Sequence, residues 1–270
     1  MIALDYFRQE IKETGVVVQN QTIVDSVSWS PGQVEIEAHK DNEACKFSAS
    51  RVLITLPLGV MKSAIADEGA VRFAPPLPRT KLEALQKLEM GKVIRVVLRF
   101  RERFWDRISP PPHSSKNLSL STMSFLLSED EWFPTWWTTM PDKLPIITGW
   151  APFDCAERLS GQSRSFVTEH ALQTLGNLLH VNADKLATLL EVAYFHDWQN
   201  DPFSRGAYSY GAVGSDGAQK ALASPVENTL FFAGEATDTS GHNGTVHGAI
   251  ASGRRAAKEI LATVGTHTTE

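Results

Sequence analysis

The chain has 270 residues, 42% of them hydrophobic and 21% charged, with a formal net charge of −5. That is a globular composition, long enough to bury one large core or two smaller ones, and its acidic balance excludes the electrostatic footprint of a nucleic-acid binder. Cys45 and Cys155, the two cysteines, form no Cys-x-x-Cys pair or disulfide framework, which favours a reducing compartment.

The chain opens with Ile2–Thr14, whose spacing predicts an amphipathic helix stopped by Gly15. No signal peptide is evident in this opening and no apolar run reaches membrane-spanning length, so a soluble, cytoplasmic protein without a membrane partner is expected. Strands follow over Val16–Val18, Ile23–Trp29, Val34–Ala38 and Arg51–Thr55, separated by turn residues such as Ser30-Pro31-Gly32 and Asp41-Asn42. A helix over Thr80–Glu89 precedes a strand over Val93–Phe100. Alternation on that strand sends Ile94, Val96, Leu98 and Phe100 to one face and Val93, Arg95, Val97 and Arg99 to the other. Ser109–Lys116, with three consecutive prolines, reads as an exposed loop. Tryptophan-rich strands come next, then a helix over Ser165–His180 and a strand over Glu191–Trp198.

Residues 229–253 carry the densest signal. They read as a short buried strand, a glycine-rich loop with one embedded carboxylate, and a helix. Gly234, Gly241, Gly244 and Gly248 lie in or beside the loop. The helix presents Val246, Ile250, Gly253, Ala257 and Ile260 at helical spacing as its small or apolar face. Its first turn leaves N–H groups unpaired at the positive end of the helix dipole, which suits an anionic or electron-rich ligand atom. Glu235, where the strand exits, is placed to accept hydrogen bonds from sugar-like hydroxyls. A structural crossover built of glycines is the rival reading.

The whole string resembles the C-terminal FAD-binding motif of the flavin-dependent amine oxidases, which include monoamine oxidases, polyamine oxidases and lysine-specific histone demethylases. The stretch Trp198 to Tyr210, containing Asp201-Pro202-Phe203-Ser204-Arg205-Gly206-Ala207-Tyr208, is similar to a second motif of that family, and Leu56-Pro57-Leu58-Gly59 to a third. The resemblance implies a mixed α/β fold. A partial FAD-binding domain over residues 1–59 and 199–264 would accompany a mixed-sheet substrate domain over 60–198 and a disordered tail at 265–270. It implies that Gly234, Glu235, Gly244, Thr245 and Val246 hold the ribityl and flavin end of FAD, that Trp198 packs beside the ring, and that the backbone of Val24 faces the adenine. Tyr208 would line the substrate channel, and Arg95 would occupy the position of a lysine that holds a water at flavin N5. Arginine keeps the charge but does not deprotonate. Ala207 stands where some relatives carry a flavin-bonding cysteine, so the FAD would be non-covalent. The implied reaction is hydride transfer from a small-molecule amine to flavin N5, with oxygen as the reoxidant.

Two negatives complete the reading. His242 and His247 are five residues apart with no converging cysteine or carboxylate pair, so no metal site is expected. The Gly-x-Gly-x-x-Gly turn that seats a dinucleotide pyrophosphate is missing, because Gly211-Ala-Val-Gly214-Ser-Asp-Gly217 has the wrong spacing and is not expected between a strand and a helix. The expectation is therefore a C-terminal portion of such an oxidase, either active or inactive without a separate N-terminal FAD-binding chain.

Overall fold

The structure is a computed structural model that describes residues 2–108 and 119–264. The expected loop at Ser109–Lys116 and the expected tail lie outside the described residues. Helix α1 (Ile2–Glu13) is followed by the antiparallel meander β1 (Ile23–Ser30), β2 (Gln33–Lys40) and β3 (Glu43–Ala49), whose turns use left-handed Gly32, Asp41 and Asn42. The strand expected over Val16–Val18 does not form. No strand pairs with it among the described residues, and the three side chains are 60%, 78% and 62% exposed. Strand β3 had no sequence signal because its residues are largely exposed and alternate weakly.

Next come β4 (Val52–Ile54), α2 (Leu58–Met61), β5 (Arg72–Ala74), α3 (Arg79–Lys87) and β6 (Leu88–Gly91). β5 joins the meander in parallel with β1. α3 stops at Lys87, short of the predicted Glu89, because Leu88–Gly91 is taken into a strand.

The largest core surrounds β7 (Val93–Phe100). With β8 (Phe125–Leu127), β9 (Thr135–Thr138), β10 (Ile146–Pro152) and β11 (Leu190–Tyr194) it makes a sheet of order β11-β7-β10-β9-β8. The predicted alternation holds: Ile94, Val96, Leu98 and Phe100 are wholly buried, while Arg95 and Arg99 are exposed. Helices α4 (Phe153–Leu159), α5 (Arg164–Leu179) and α6 (Ala183–Leu189) cover this sheet. Ser163 caps α5 by accepting from Phe166 N–H at 3.2 Å, and His180 closes it in the left-handed conformation.

The chain then returns through β12 (Tyr208–Gly211), α7 (Ala218–Ala223), β13 (Leu230–Phe232) and α8 (Val246–Val264). β12 pairs antiparallel with β6, and β13 pairs parallel with β4. The string Gly211–Gly217 does connect a strand to a helix, β12 to α7, contrary to the sequence expectation. That strand is half of an antiparallel pair and the helix has only six residues, so the turn lacks the parallel strand–helix setting of a pyrophosphate loop.

Packing groups residues 60–91 with the flanks of the chain. β5 pairs with β1, and Ala84, Leu85 and Leu88 share a cluster with Leu58, Ala218, Leu222 and Ala236.

Candidate functional site

Two clefts meet at Leu56. One, of about 280 Å³, is lined by Thr55–Leu58, Trp198, Gly206, Ala207 and the segment Ala233–Thr237. The other, of about 330 Å³, is lined by Gln21–Val24, Leu56, Val60, Val71 and Phe203. The structure therefore brings Trp198, Gly234 and Glu235 together in the first cleft and places Val24 in the second. Gly59 explains how two distant motifs share a wall. A Cβ there would lie 2.5 Å from Arg205 O and 2.8 Å from Ser204 O, so the Pro-Leu-Gly turn meets the backbone of the Asp201–Tyr208 segment directly.

Gly234, at φ +117, turns the chain out of β13 and donates its N–H to Ser252 Oγ of α8 at 2.9 Å. The half-buried Glu235 carboxylate accepts from Ser209 N–H at 3.0 Å, Ser209 Oγ at 2.7 Å and Gly244 N–H at 2.7 Å. Most of its acceptor capacity thus binds β12 to the glycine loop, and what remains faces the cleft. Asp238 anchors the same loop. Burial pushes its carboxyl up, but His242 N–H and the Ser240 hydroxyl and N–H together hold it below the usual carboxylate range. Thr245 caps α8: its hydroxyl accepts from Gly248 N–H at 3.1 Å and its carbonyl from Ala249 N–H at 3.0 Å. The N–H groups of Val246 and His247 have no acceptor among the described residues, and Val246 is 78% exposed.

Tyr208 sits opposite Gly91 in the β12–β6 register. Its ring packs between two glycines, since a Cβ on Gly91 would come within 3.2 Å of it and one on Gly244 within 3.6 Å. Burial raises the Tyr208 hydroxyl above its ordinary pKa, keeping it neutral. Beyond Gly91 the chain enters β7. There Arg95 stands exposed across from Trp150, with no hydrogen bond or ion pair among the described residues, and it is not part of the cleft wall. Lys92 is instead paired with Glu157. Trp198, 44% exposed, packs edge-on to His196 at 4.3 Å. Asp197 fixes its turn: burial raises that carboxyl, but Gly161 N–H, Asn200 and Ser160 outweigh it and hold the group ionised.

Two cations behind the cleft had no local motif. Lys81, 2% exposed, donates to Leu222 O and Ser224 O, and its Nζ lies 3.9 Å from the centre of the Phe232 ring. Arg255 donates to Ala223 O at 3.2 Å, Phe232 O at 2.8 Å and Thr237 Oγ1 at 3.2 Å. Together they cap the C-terminal carbonyls of α7 and hold the end of β13. The available signal was Lys81's position on the Ala84–Leu85–Leu88 face of its helix, where a charge is out of place.

A sequence model of the flavin-containing amine oxidoreductases matches residues 4–261. The chain belongs to that family. Similar proteins include lysine-specific histone demethylase 1 homolog 3 of Arabidopsis thaliana, 31% identical over 256 residues, covering 92% of this chain and 15% of that protein. Lysine-specific histone demethylase 2 of Homo sapiens is 28% identical over 263 residues, covering 92% and 28%. Wild-type putrescine oxidase solved with putrescine shares the fold at a TM-score of 0.66 and 21% identity, covering 88% of this chain and 48% of that one. The chain thus spans less than a third of these demethylases and about half of the oxidase.

The residues of the chain fit part of the family's flavin. The first cleft offers small residues at Gly206, Ala207, Ala233 and Gly234 beside Trp198, a shape suited to a flat ring. The free first-turn amides of α8 suit an electron-rich ring edge. Among the described residues no Gly-x-Gly-x-x-Gly turn joins a parallel strand to a helix. No group of three His, Cys, Asp or Glu gathers to hold a metal ion among the described residues, and no described helix is long and apolar enough to cross a membrane.

Proposed function

We propose that this chain forms the flavin-ring and substrate-facing part of an FAD-dependent amine oxidase. The observation that carries the reading is the first cleft, where Trp198, Ala207, Gly234 and Glu235 converge from separate segments. The bound FAD would supply hydride acceptance; the substrate amine would leave as an imine, water would release the carbonyl product, and oxygen would become hydrogen peroxide. Gly234, Gly244, Thr245 and Val246 would hold the ribityl and ring end, with Glu235 fixing the loop and offering its remaining acceptor position to a hydroxyl. Val24 would meet the adenosine in the adjoining cleft. Tyr208 would present a neutral aromatic face to the amine; the water-positioning role the resemblance gives Arg95 is kept as a proposal although its side chain stands outside the walls of both clefts. Without a thiol at Ala207, the cofactor would be held non-covalently. Functionally the chain divides into a partial FAD-binding part, 1–59 with 199–264, and a substrate part, 60–198.

A second reading is favoured by the missing pyrophosphate turn: the chain would act only with a separate nucleotide-binding chain. Charged hydrogen bonds are worth roughly 1.5–3 kcal/mol each, so losing several pyrophosphate contacts lowers FAD affinity by orders of magnitude. Titrating FAD and following flavin absorbance and fluorescence tests both. A yellow protein that bleaches with a primary amine or polyamine under anaerobic conditions supports the first reading. Colour that appears only with a nucleotide-binding partner supports the second, and a colourless preparation in both conditions sinks the flavin assignment.

A further inference from the structure

A cleft of about 810 Å³ lies between α5, α6 and β11 and shares no lining residue with the two clefts described above. Leu172, Leu190, Val192 and Ala193 supply its apolar lining. Glu169 of α5 and Asp184 of α6 stand exposed along it, and neither carboxylate has an ion pair or side-chain hydrogen bond among the described residues. The other two charges are already engaged. Arg164 donates to Ala193 O at 3.0 Å, and Glu191 pairs with Arg99 at 2.9 Å. The cleft therefore combines an apolar surface with two uncompensated negative charges.

The strand beside it adds a backbone donor. Among the described residues β11 is an edge strand of its sheet. Phe100 N–H donates to Pro145 O on the β10 side, and Arg101 N–H to Leu189 O on the β11 side. The same alternation turns Leu98 toward β10, so its cross-strand partner Ala193 turns its backbone outward. Arg164 takes the outward carbonyl, but the Ala193 N–H has no acceptor among the described residues. An extended chain lying in the cleft would bring the carbonyl that this amide lacks.

We propose that this cleft is a docking site for an extended basic segment of a partner protein. A peptide carbonyl accepts from Ala193 N–H, apolar side chains pack on Leu172, Leu190 and Val192, and lysine or arginine side chains reach Glu169 and Asp184. Charge complementarity names the occupant, since the free charges of the cleft are both negative. A second copy of this chain fits less well. It carries a formal net charge of −5, and β11 has only five residues with an irregularity between Leu190 and Val192, which suits edge-to-edge pairing poorly. The site needs no flavin and stands whether or not the cofactor binds.

Fluorescence polarisation of a labelled peptide of alternating lysine and valine, titrated with the full chain, tests the site. Binding should saturate and weaken with added salt. Glu169→Gln combined with Asp184→Asn should weaken it at least about fivefold. Ala187→Trp fills the cleft from an exposed helix position, keeps both carboxylates and should abolish binding. All three positions are exposed, so both variants should unfold at the parent's temperature. With peptide at about tenfold excess over Kd, exchange of the Ala193 amide, read by NMR, should slow about tenfold while β8 is unchanged. Equal binding of a glutamate–valine peptide, parent-like affinity in the Ala187→Trp chain, or protection confined to other strands overturns the proposal. So does a titration that never saturates at millimolar concentrations.

Discussion

At Glu235 three donors converge on one carboxylate, two from β12 and one from the glycine loop. Glu235→Ala should therefore act on the fold itself, apart from the cofactor contact proposed for it. Hydrogen bonds to a charged group are worth about 1.5–3 kcal/mol each, and half-burial discounts the sum, so a loss of roughly 2–4 kcal/mol is expected in urea unfolding. An unchanged midpoint would show that the loop is held by Asp238 alone. Gly59→Ala is a sharper test of the wall between motifs, because the new methyl meets backbone atoms that do not swing away. Overpacking of this kind costs about 1–3 kcal/mol, and the Asp201–Gly206 turn should exchange faster in the variant. The sequence made Gly234 and Glu235 stand out through a local strand–loop–helix string, and Trp198 and Tyr208 through the resemblance of residues 198–210 to a family motif. It could not show that Glu235 spends most of its acceptors internally, nor that Gly59 touches Arg205, since both contacts join segments far apart in the chain.

Helix α7 shows how an element invisible in sequence becomes a support for the site. Its six residues are too few for a periodic signal, and the Leu222 and Ala223 carbonyls at its end accept from Lys81 of α3 and Arg255 of α8. Burial, with repulsion from Arg255 and partial relief from Glu259, lowers the Lys81 pKa to about 7. A neutral amine still has two N–H donors for its two carbonyls. Because the folded pKa lies below the unfolded one, the unfolded chain binds the extra proton between about pH 7 and the ordinary lysine value near 10.5. Stability from this group is therefore complete above that window and is lost as pH falls through it to about 7. Lys81→Met should flatten that slope, and it should cost about 1–3 kcal/mol at pH 9 by leaving two buried carbonyls unpaired. Chemical denaturation across pH 7–10 reads both effects, and a variant with the parent's slope would assign the titration elsewhere. Strands β4, β7 and β13 and helix α5 were legible because their patterns are local. Leu88 and Glu89 of β6 were read as the end of a helix because their partner, β12, lies far along the chain, and Val16–Val18 has strand residues but no strand to pair with among the described residues.

On the scale of the molecule, stability is divided unevenly. The core around β7 joins Ile94, Leu98, Trp105, Trp136, Leu175 and their neighbours in one dense cluster. The rest of the chain has two smaller ones, one around Val27, Val34 and Phe232 and the other around Leu58, Leu88 and Leu222. Among the described residues, β4 in this part pairs with no strand but β13. Burial of apolar area sets local opening free energies, so the β7–β10 amides should exchange only through global unfolding. Those of β4, β13 and α8 should open first, at lower urea. A ligand that binds the closed site stabilises what it touches by RT ln(1 + [L]/Kd), about 2.7 kcal/mol at a hundredfold excess over Kd. In an FAD-bound form, β13 and the first turn of α8 should then exchange on the order of a hundredfold more slowly, with β7 and β10 little changed. Hydrogen exchange followed by mass spectrometry at graded urea measures both halves of this. If β13 and β7 opened with the same free energy and the same urea dependence, the chain would be one cooperative unit, with the β13 side held by the β7 core.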